Sequence, residues 1–421
     1  MVFATSKWLL SCRNCGEKYP EKSIENFHGK CGRAGFVDVV LEEMERKVHR
    51  NLPSIFKFKD YMPILDEHVP LLQGAETIPD VPIFYSQQLS DELGIHVYFA
   101  DMIQNPTGSW KDFDGFITMY RVYQNNVPEI AASSSGNAGT AMARAATLFG
   151  ATIRKTDPSF KGPVLHLFLP ESGRTAVGYQ KGFFHPDHTR VTFVHGDNDE
   201  ALQAAQKFSG ESGVPLIGGF FNYVKREGTA KFLGLCYRFN FMPKNDPVQW
   251  YAQAVSSGNG IYAFQKASLD GEFECPKILG VQADACSPMA NAWKEKHLGP
   301  LEDRHSPKEI PPTPFLRILK TKKPASYPYL AEIVRETNGA FESVTSIDFG
   351  CEIHSALKKL HSEPYYTELR EAGGPMPGLE SATALAGVIK SVHNGTIRPQ
   401  ERVLVVSSGA AKAGDLRAEW F

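Results

Sequence analysis

Pro106-Thr107-Gly108-Ser109-Trp110-Lys111-Asp112-Phe113 places one lysine on a turn of small residues, between an apolar run at 96–100 and a stretch of helical pattern at 112–124. Ser109 is of a type that caps a helix start. Lysine forms a Schiff base with a carbonyl compound once burial or a neighbouring cation lowers its pKa. Read by itself, the turn suits a surface lysine in a first helical turn better than a reactive one. The rest of the chain reverses that balance.

Outward from this turn, apolar strand-like runs at 96–100, 130–133, 164–169, 191–194, 250–255, 278–283 and 402–406 alternate with helical stretches at 138–149, 199–208, 227–239 and 380–393. Such alternation predicts an α/β architecture with mostly parallel sheets. Ligands in these sheets bind where the carboxyl end of a strand turns into a helix. Three more small-residue turns lie at such points. Ser133-Ser134-Ser135-Gly136-Asn137-Ala138-Gly139-Thr140 opens a helix whose first N–H groups suit a carboxylate or phosphate. Val255-Ser256-Ser257-Gly258-Asn259-Gly260 allows close backbone approach and adds donors for a phosphate, yet fits neither the P-loop nor the dinucleotide fingerprint. In Val405-Val406-Ser407-Ser408-Gly409-Ala410-Ala411-Lys412, either serine hydroxyl suits a ring nitrogen. Each of these turns, taken singly, also suits an ordinary loop. The stretch 294–328, rich in proline and charge, reads as irregular, and no internal repeat is present.

A length of 421 residues predicts two or three domains, and a net charge of −2 without a basic block gives no support to nucleic-acid binding. No apolar run reaches membrane-spanning length, and the N-terminal stretch lacks a signal-peptide pattern, so a cytoplasmic enzyme is expected. Of the seven cysteines, Cys236, Cys275, Cys286 and Cys351 read as scattered buried thiols. Cys12-x2-Cys15-Gly16 and His28-x2-Cys31-Gly32 instead read as two knuckles gripping one tetrahedral zinc, the glycines letting each turn close around the metal. Residues 1–45 are therefore expected to form a zinc-ribbon-like module, with a catalytic domain at 46–421. The alternative is a degenerate knuckle pair without metal.

Together the four turns, one carrying a lysine, resemble those of the fold-type-II pyridoxal-phosphate enzymes, and within them the threonine synthase and cysteate synthase family. PTGSWKDF resembles the lysine motif of threonine synthase, with Trp110 where phenylalanine is usual, and SSGNAG matches its segment residue for residue. Three stretches are closer to cysteate synthase: Gln253 to Gly260, Lys225-Arg226-Glu227-Gly228, and Pro288-Met289-Ala290-Asn291-Ala292-Trp293. The resemblance implies a tryptophan-synthase-β-like fold with two α/β subdomains, the smaller and mobile one at about 115–222. It implies that Lys111 holds pyridoxal 5'-phosphate as a Schiff base and shuttles protons at Cα. It assigns Ser256, Ser257, Gly258, Asn259 and Gly260 to the cofactor phosphate, Asn137 to the ring hydroxyl, and Ser134, Ser135, Asn137 and Ala138 to the substrate. Ser407 or Ser408 would face the pyridine nitrogen, spacing to Lys412 favouring Ser407. A hydroxyl there makes the ring a weaker electron sink than a carboxylate would, which favours loss of a leaving group over transamination.

A phosphate leaving group calls for cations. Lys225 and Arg226 are the first candidates, with Arg174, Lys181 and Lys231 behind them. The phosphate loop is poorer in glycine than is usual in threonine synthases, and the last turn has alanines where glycines are usual. The expected activity is elimination or replacement on the side chain of an O-phosphorylated amino acid, a small-molecule substrate, by a homodimer. The rival readings are a specialised β- or γ-replacement with another leaving group, a silent relative that binds a metabolite through the same fold, and a zinc-module interaction protein.

Overall fold

In the computed structural model, strands end at Ser133, Ala254 and Ser407, where the small-residue turns at 133–140, 255–260 and 405–412 were expected, and the strand before Lys111 ends at Asp101. The structure describes residues 7–19, 29–42, 44–69, 78–134, 136–156, 163–171, 174, 181–242, 246–316 and 318–412. The chain divides into two compact units, Met1–Asp80 with Lys111–Phe232, and Val81–Trp110 with Leu233–Phe421.

The second unit is built on a six-stranded sheet. Its order is Ala340–Val344, Lys277–Ala283, Trp250–Ala254, Arg402–Ser407, His96–Asp101 and Ile83–Ser86. The first five run parallel, and only Ile83–Ser86 at the edge is antiparallel. In register, Val405 lies opposite Ala252 on one side and Phe99 on the other. All three are fully buried, as expected of a parallel sheet covered on both faces. Helix Leu379–His393 covers one face so closely that a Cβ on Gly387 would stand 2.3 Å from Val281.

The first unit holds a parallel sheet of Glu129–Ser133, Val164–Pro170 and Thr189–Val194, and an antiparallel sheet in the order Lys18–Tyr19, Trp8–Cys12, Val37–Leu41. Helices Lys111–Gln124 and Asn137–Thr156 pack together, with Gly115 so near that an added Cβ would meet the Ala141 carbonyl oxygen at 2.4 Å. The single helix expected at 227–239 is in fact three pieces: Tyr223–Glu227, Thr229–Cys236 and a π-helical turn, Tyr237–Phe241. The break at Gly228 lets the chain pass Asp114, whose Cα would lie 2.8 Å from a Cβ at that position. Among its described residues, the expected irregular stretch holds a short 3-10 turn, Asp303–His305, between helices Pro288–Lys294 and Tyr327–Glu336.

Candidate active site

Three neighbouring strands of the second unit, Trp250–Ala254, Arg402–Ser407 and His96–Asp101, bring the turns that follow them to one edge of the sheet. The turn before Lys111 is bonded to the turn after Ser407. Met102 N–H donates to the Ser407 carbonyl at 3.0 Å, Trp110 N–H to that of Ser408 at 3.1 Å, and Ala410 N–H to that of Gly108 at 2.7 Å. Ser109 pairs with Gly409 as an isolated antiparallel bridge. The helix begins at Lys111, two residues after Ser109. The Lys412 ammonium donates to the Thr107 carbonyl at 3.1 Å.

Helix Asn259–Asp270 begins directly after Gly258, whose φ of +80° is left-handed backbone, and no side chain caps the helix. Its first N–H groups and the positive end of its dipole therefore face the turn unsatisfied by a cap. A Cβ on Gly258 would stand 1.9 Å from Leu330 Cδ1, and one on Gly260 would stand 2.4 Å from the Trp110 indole. Ser256 Oγ is 2.6 Å from Thr321 Oγ1, and Ser326 Oγ donates to the Ser257 carbonyl at 2.7 Å. Asn259 is buried, its amide nitrogen 3.4 Å from Ser257 Oγ and its amide oxygen without a hydrogen-bond partner among the described residues. A half-turn of that amide exchanges the two atoms and aims N–H donors where the unbonded oxygen now stands.

The two C-terminal serines differ. Ser407 is fully buried, its Oγ 3.0 Å from Ser381 Oγ, which in turn donates to the Gly409 carbonyl at 3.2 Å. Ser408, the residue after the strand, is 7% exposed. Thr321, Ser326 and Ser381 carry no pattern that singles them out in sequence. Asp101, opposite Ser407 in register, is also buried there, and burial raises its pKa against bonds from Gln104, Ile103 N–H and Tyr365.

In the first unit, the Lys111 amine lies 3.1 Å from Asp114 Oδ2, one helical turn on; the lysine is 20% exposed and Asp114 1%. Asp114 was not foreseen, although its i+3 spacing from Lys111 was there to be read. Lys225 is buried, its Nζ 3.4 Å from Met142 Sδ. Burial pushes its pKa down to about 8, with Asp114 opposing the shift and Lys111 adding to it. Lys111, Asp114 and Lys225 thus form one cluster. Asp112 faces Arg144 at 3.5 Å. Ser134 Oγ accepts from Gly139 N–H at 2.9 Å, and Ser134, Asn137 and Ala138 each keep accessible surface at the start of helix Asn137–Thr156. Ser135 lies outside the described residues.

Arg226 corrects the expectation that paired it with Lys225 on a phosphate. Its guanidinium is fully buried, donates to the carbonyls of Phe220 and Val37 at 2.5 Å each, and lies 4.6 Å from the centre of the Phe36 ring. Those contacts tie the strand Val37–Leu41 to the segment before Lys225. Lys231 is spent on Glu227 at 2.5 Å inside the core, and exposed Arg174 pairs with Glu171. The Lys181 side chain lies outside the described residues.

Cys12, Cys15 and Cys31 place their sulfurs within 4.8 Å of one another, as three thiolates on a single tetrahedral ion would. Gly16 and Gly32 both adopt positive φ, +73° and +57°, which bends the chain around the cluster. His28, the expected fourth ligand, lies outside the described residues. Among the described residues, no helix is long and apolar enough to cross a membrane.

Residues 75–409 match the family model of the pyridoxal-phosphate dependent enzymes. The chain is 26% identical to cysteate synthase of Methanospirillum hungatei, over 96% of its own length and 90% of that protein. It is 23% identical to threonine synthase of Methanocaldococcus jannaschii, over 95% and 92%. The fold is similar to that of maize serine racemase, with a TM-score of 0.59 at 14% identity, covering 85% of this chain and 96% of that one. A threonine deaminase from Solanum lycopersicum is equally similar, at 0.59 and 16% identity, over 83% of this chain and 91% of the other.

Proposed function

Because the chain belongs to the pyridoxal-phosphate dependent enzymes, we propose that it eliminates or replaces a phosphate borne on the side chain of an amino acid. The residues at the turns fit the cofactor. The uncapped start of helix Asn259–Asp270, the Asn259 amide with its unbonded oxygen and the close-packed Gly258 make a cradle for its phosphate among Ser256, Ser257, Gly258, Asn259 and Gly260. When bound, pyridoxal phosphate supplies the electron sink that labilises bonds at the α-carbon of an amino acid.

This chain's own residues do the rest. Lys111 holds the cofactor through its amine and moves the proton at the substrate Cα. Asn137 orients the ring hydroxyl, and Ser134, Ser135 and Ala138 bind the substrate carboxylate. Ser408 rather than Ser407 meets the ring nitrogen, since the Ser407 hydroxyl is buried against Ser381. A serine hydroxyl does not hold a ring nitrogen protonated as a carboxylate does, which favours departure of a leaving group.

The observation that carries the phosphate reading is Lys225, a buried amine clustered with Lys111 and Asp114. A cation held there at neutral pH is placed to meet a departing anion. The two relatives named above, a cysteate synthase and a threonine synthase, are consistent with such chemistry. The test is to mix the protein with O-phosphoserine or O-phosphohomoserine, with and without sulfite, and to measure phosphate release and product mass. Phosphate release from one of them, lowered at least tenfold by Lys225→Met, is the expected result; release from neither sinks the reading. We also propose that Cys12, Cys15, His28 and Cys31 hold one structural zinc.

A further inference from the structure

Within the second unit, the stretch 321–330 follows the turn at 255–260 contact by contact. The Thr321 hydroxyl meets that of Ser256 at 2.6 Å, Ser326 Oγ donates to the Ser257 carbonyl at 2.7 Å, and Leu330 fills the space beside Gly258. The stretch is itself pinned, since Ser306 Oγ donates to the Lys322 carbonyl at 2.7 Å and the Lys323 ammonium lies 2.7 Å from Asp303. Thr321 and Ser256 both keep accessible surface. Two hydroxyls 2.6 Å apart share one hydrogen between them, so the other hydrogen is left for a further acceptor.

Charge points to the same place. Lys320 is exposed and Lys322 half-buried, and among the described residues neither ammonium has an ion pair or a hydrogen bond. Burial raises the Cys286 thiol pKa to about 11, and the charges of Lys322 and Lys320 are near enough to oppose that shift. Cys286 ends the 3-10 turn that follows strand Lys277–Ala283, the neighbour of Trp250–Ala254. The two positive charges therefore stand at the carboxyl ends of this strand pair, where the turn at 255–260 begins. That turn contains no cation of its own. A phosphate monoester carries about −1.5 to −2 charges near neutral pH, and a helix N-terminus answers only about half a charge. Backbone N–H groups, serines and an asparagine leave the rest unmatched.

We propose that residues 320–322 form a second wall of the cofactor-phosphate site, in which the Thr321 hydroxyl donates to the phosphate beside that of Ser256 while Lys320 and Lys322 supply the positive charge that the turn lacks. Lysine acts there as a flexible point charge rather than a fixed fork, which suits a group held mainly by backbone. This second wall presupposes the cofactor phosphate at 255–260, as proposed above, and is independent of what the substrate carries.

The test strips the full chain of cofactor and titrates it by absorbance with pyridoxal phosphate and, separately, with pyridoxal, which keeps the aldehyde and lacks the phosphate. Thr321→Val should weaken pyridoxal phosphate about tenfold and leave pyridoxal unchanged, and Thr321→Ser should restore the parent affinity. Lys320→Met with Lys322→Met should weaken pyridoxal phosphate about tenfold at low ionic strength, the deficit shrinking as salt screens the charges. Asn259→Leu tells the turn from the wall. If it weakens pyridoxal phosphate while the Thr321 and lysine variants do not, the phosphate sits at the turn and the second wall is overturned. If all the variants treat the two aldehydes as the parent does, the phosphate is not at this turn and the wall falls with it. An equal loss of both aldehydes in Thr321→Val also overturns it, since that marks a role in shape alone.

Discussion

Lys111, proposed above to hold the cofactor, is one-fifth exposed, with the Asp114 carboxylate 3.1 Å from its nitrogen. The purified protein should be yellow, borohydride reduction should fix the cofactor on Lys111, and Lys111→Ala should abolish that trapping; label on another lysine would remove the assignment. Lys225 leaves a trace in stability. Its folded pKa of about 8 lies below the ordinary 10.5, so between those values the unfolded chain binds a proton that the folded chain does not. Stability should therefore rise with pH across that window, the cost of burying the ammonium being fully present below about pH 8. Lys225→Met should melt higher than the parent at pH 7 by a few degrees, and the gap should close as pH rises to 10.5. Melting curves at four or five pH values decide it; a gap that stays constant would mean Lys225 is not held below its ordinary pKa.

At the scale of elements, the meeting of Gly260 and Trp110 explains a feature that had looked like an oddity of sequence. Trp110 occupies the space that a Cβ on Gly260 would need, 2.4 Å from its ring, so the larger ring and the glycine are one packing solution. Gly260→Ala should destabilise by about 1–3 kcal/mol through overpacking and lower cofactor retention, and Trp110→Phe in the same chain should restore most of both. Urea unfolding with cofactor absorbance measures the pair; no rescue would show that the cost lies elsewhere. Trp250–Ala254, Lys277–Ala283 and Arg402–Ser407 read as mostly apolar runs, because a strand buried on both faces leaves few positions for polar residues. Ile83–Ser86 and Ala340–Val344 escaped notice: one is an edge strand with exposed Tyr85, the other carries Glu342 and Ser343 in its short run. The helix expected at 227–239 failed for a tertiary reason, since Gly228 yields to the close approach of Asp114, which no local pattern announces. The turns were legible for the same reason that they are useful, as small residues are what a strand end near a ligand requires.

At the scale of the whole molecule, the N-terminal residues share a compact unit with 111–232, and Arg226 is one of the ties that hold them there. Arg226→Met should leave the Val37 and Phe220 carbonyls unbonded, cost about 1–3 kcal/mol for each, and speed proteolysis within residues 1–45. Metal analysis of undenatured protein should find about one zinc per chain, and Cys12→Ser should lose it; full zinc content in that variant would exclude the cluster. The strand Arg402–Ser407 has a different bearing on the molecule. It sits between Trp250–Ala254 and His96–Asp101, two strands that come off the ribosome long before it. Until it arrives, each of those strands offers a bare edge, and the turn that leads into Lys111 lacks the carbonyls that shape it. The nascent chain therefore makes the rest of the six-stranded sheet before the strand that joins its two halves, and the turn at 102–110 takes its bonded form only once Arg402–Ser407 is in place.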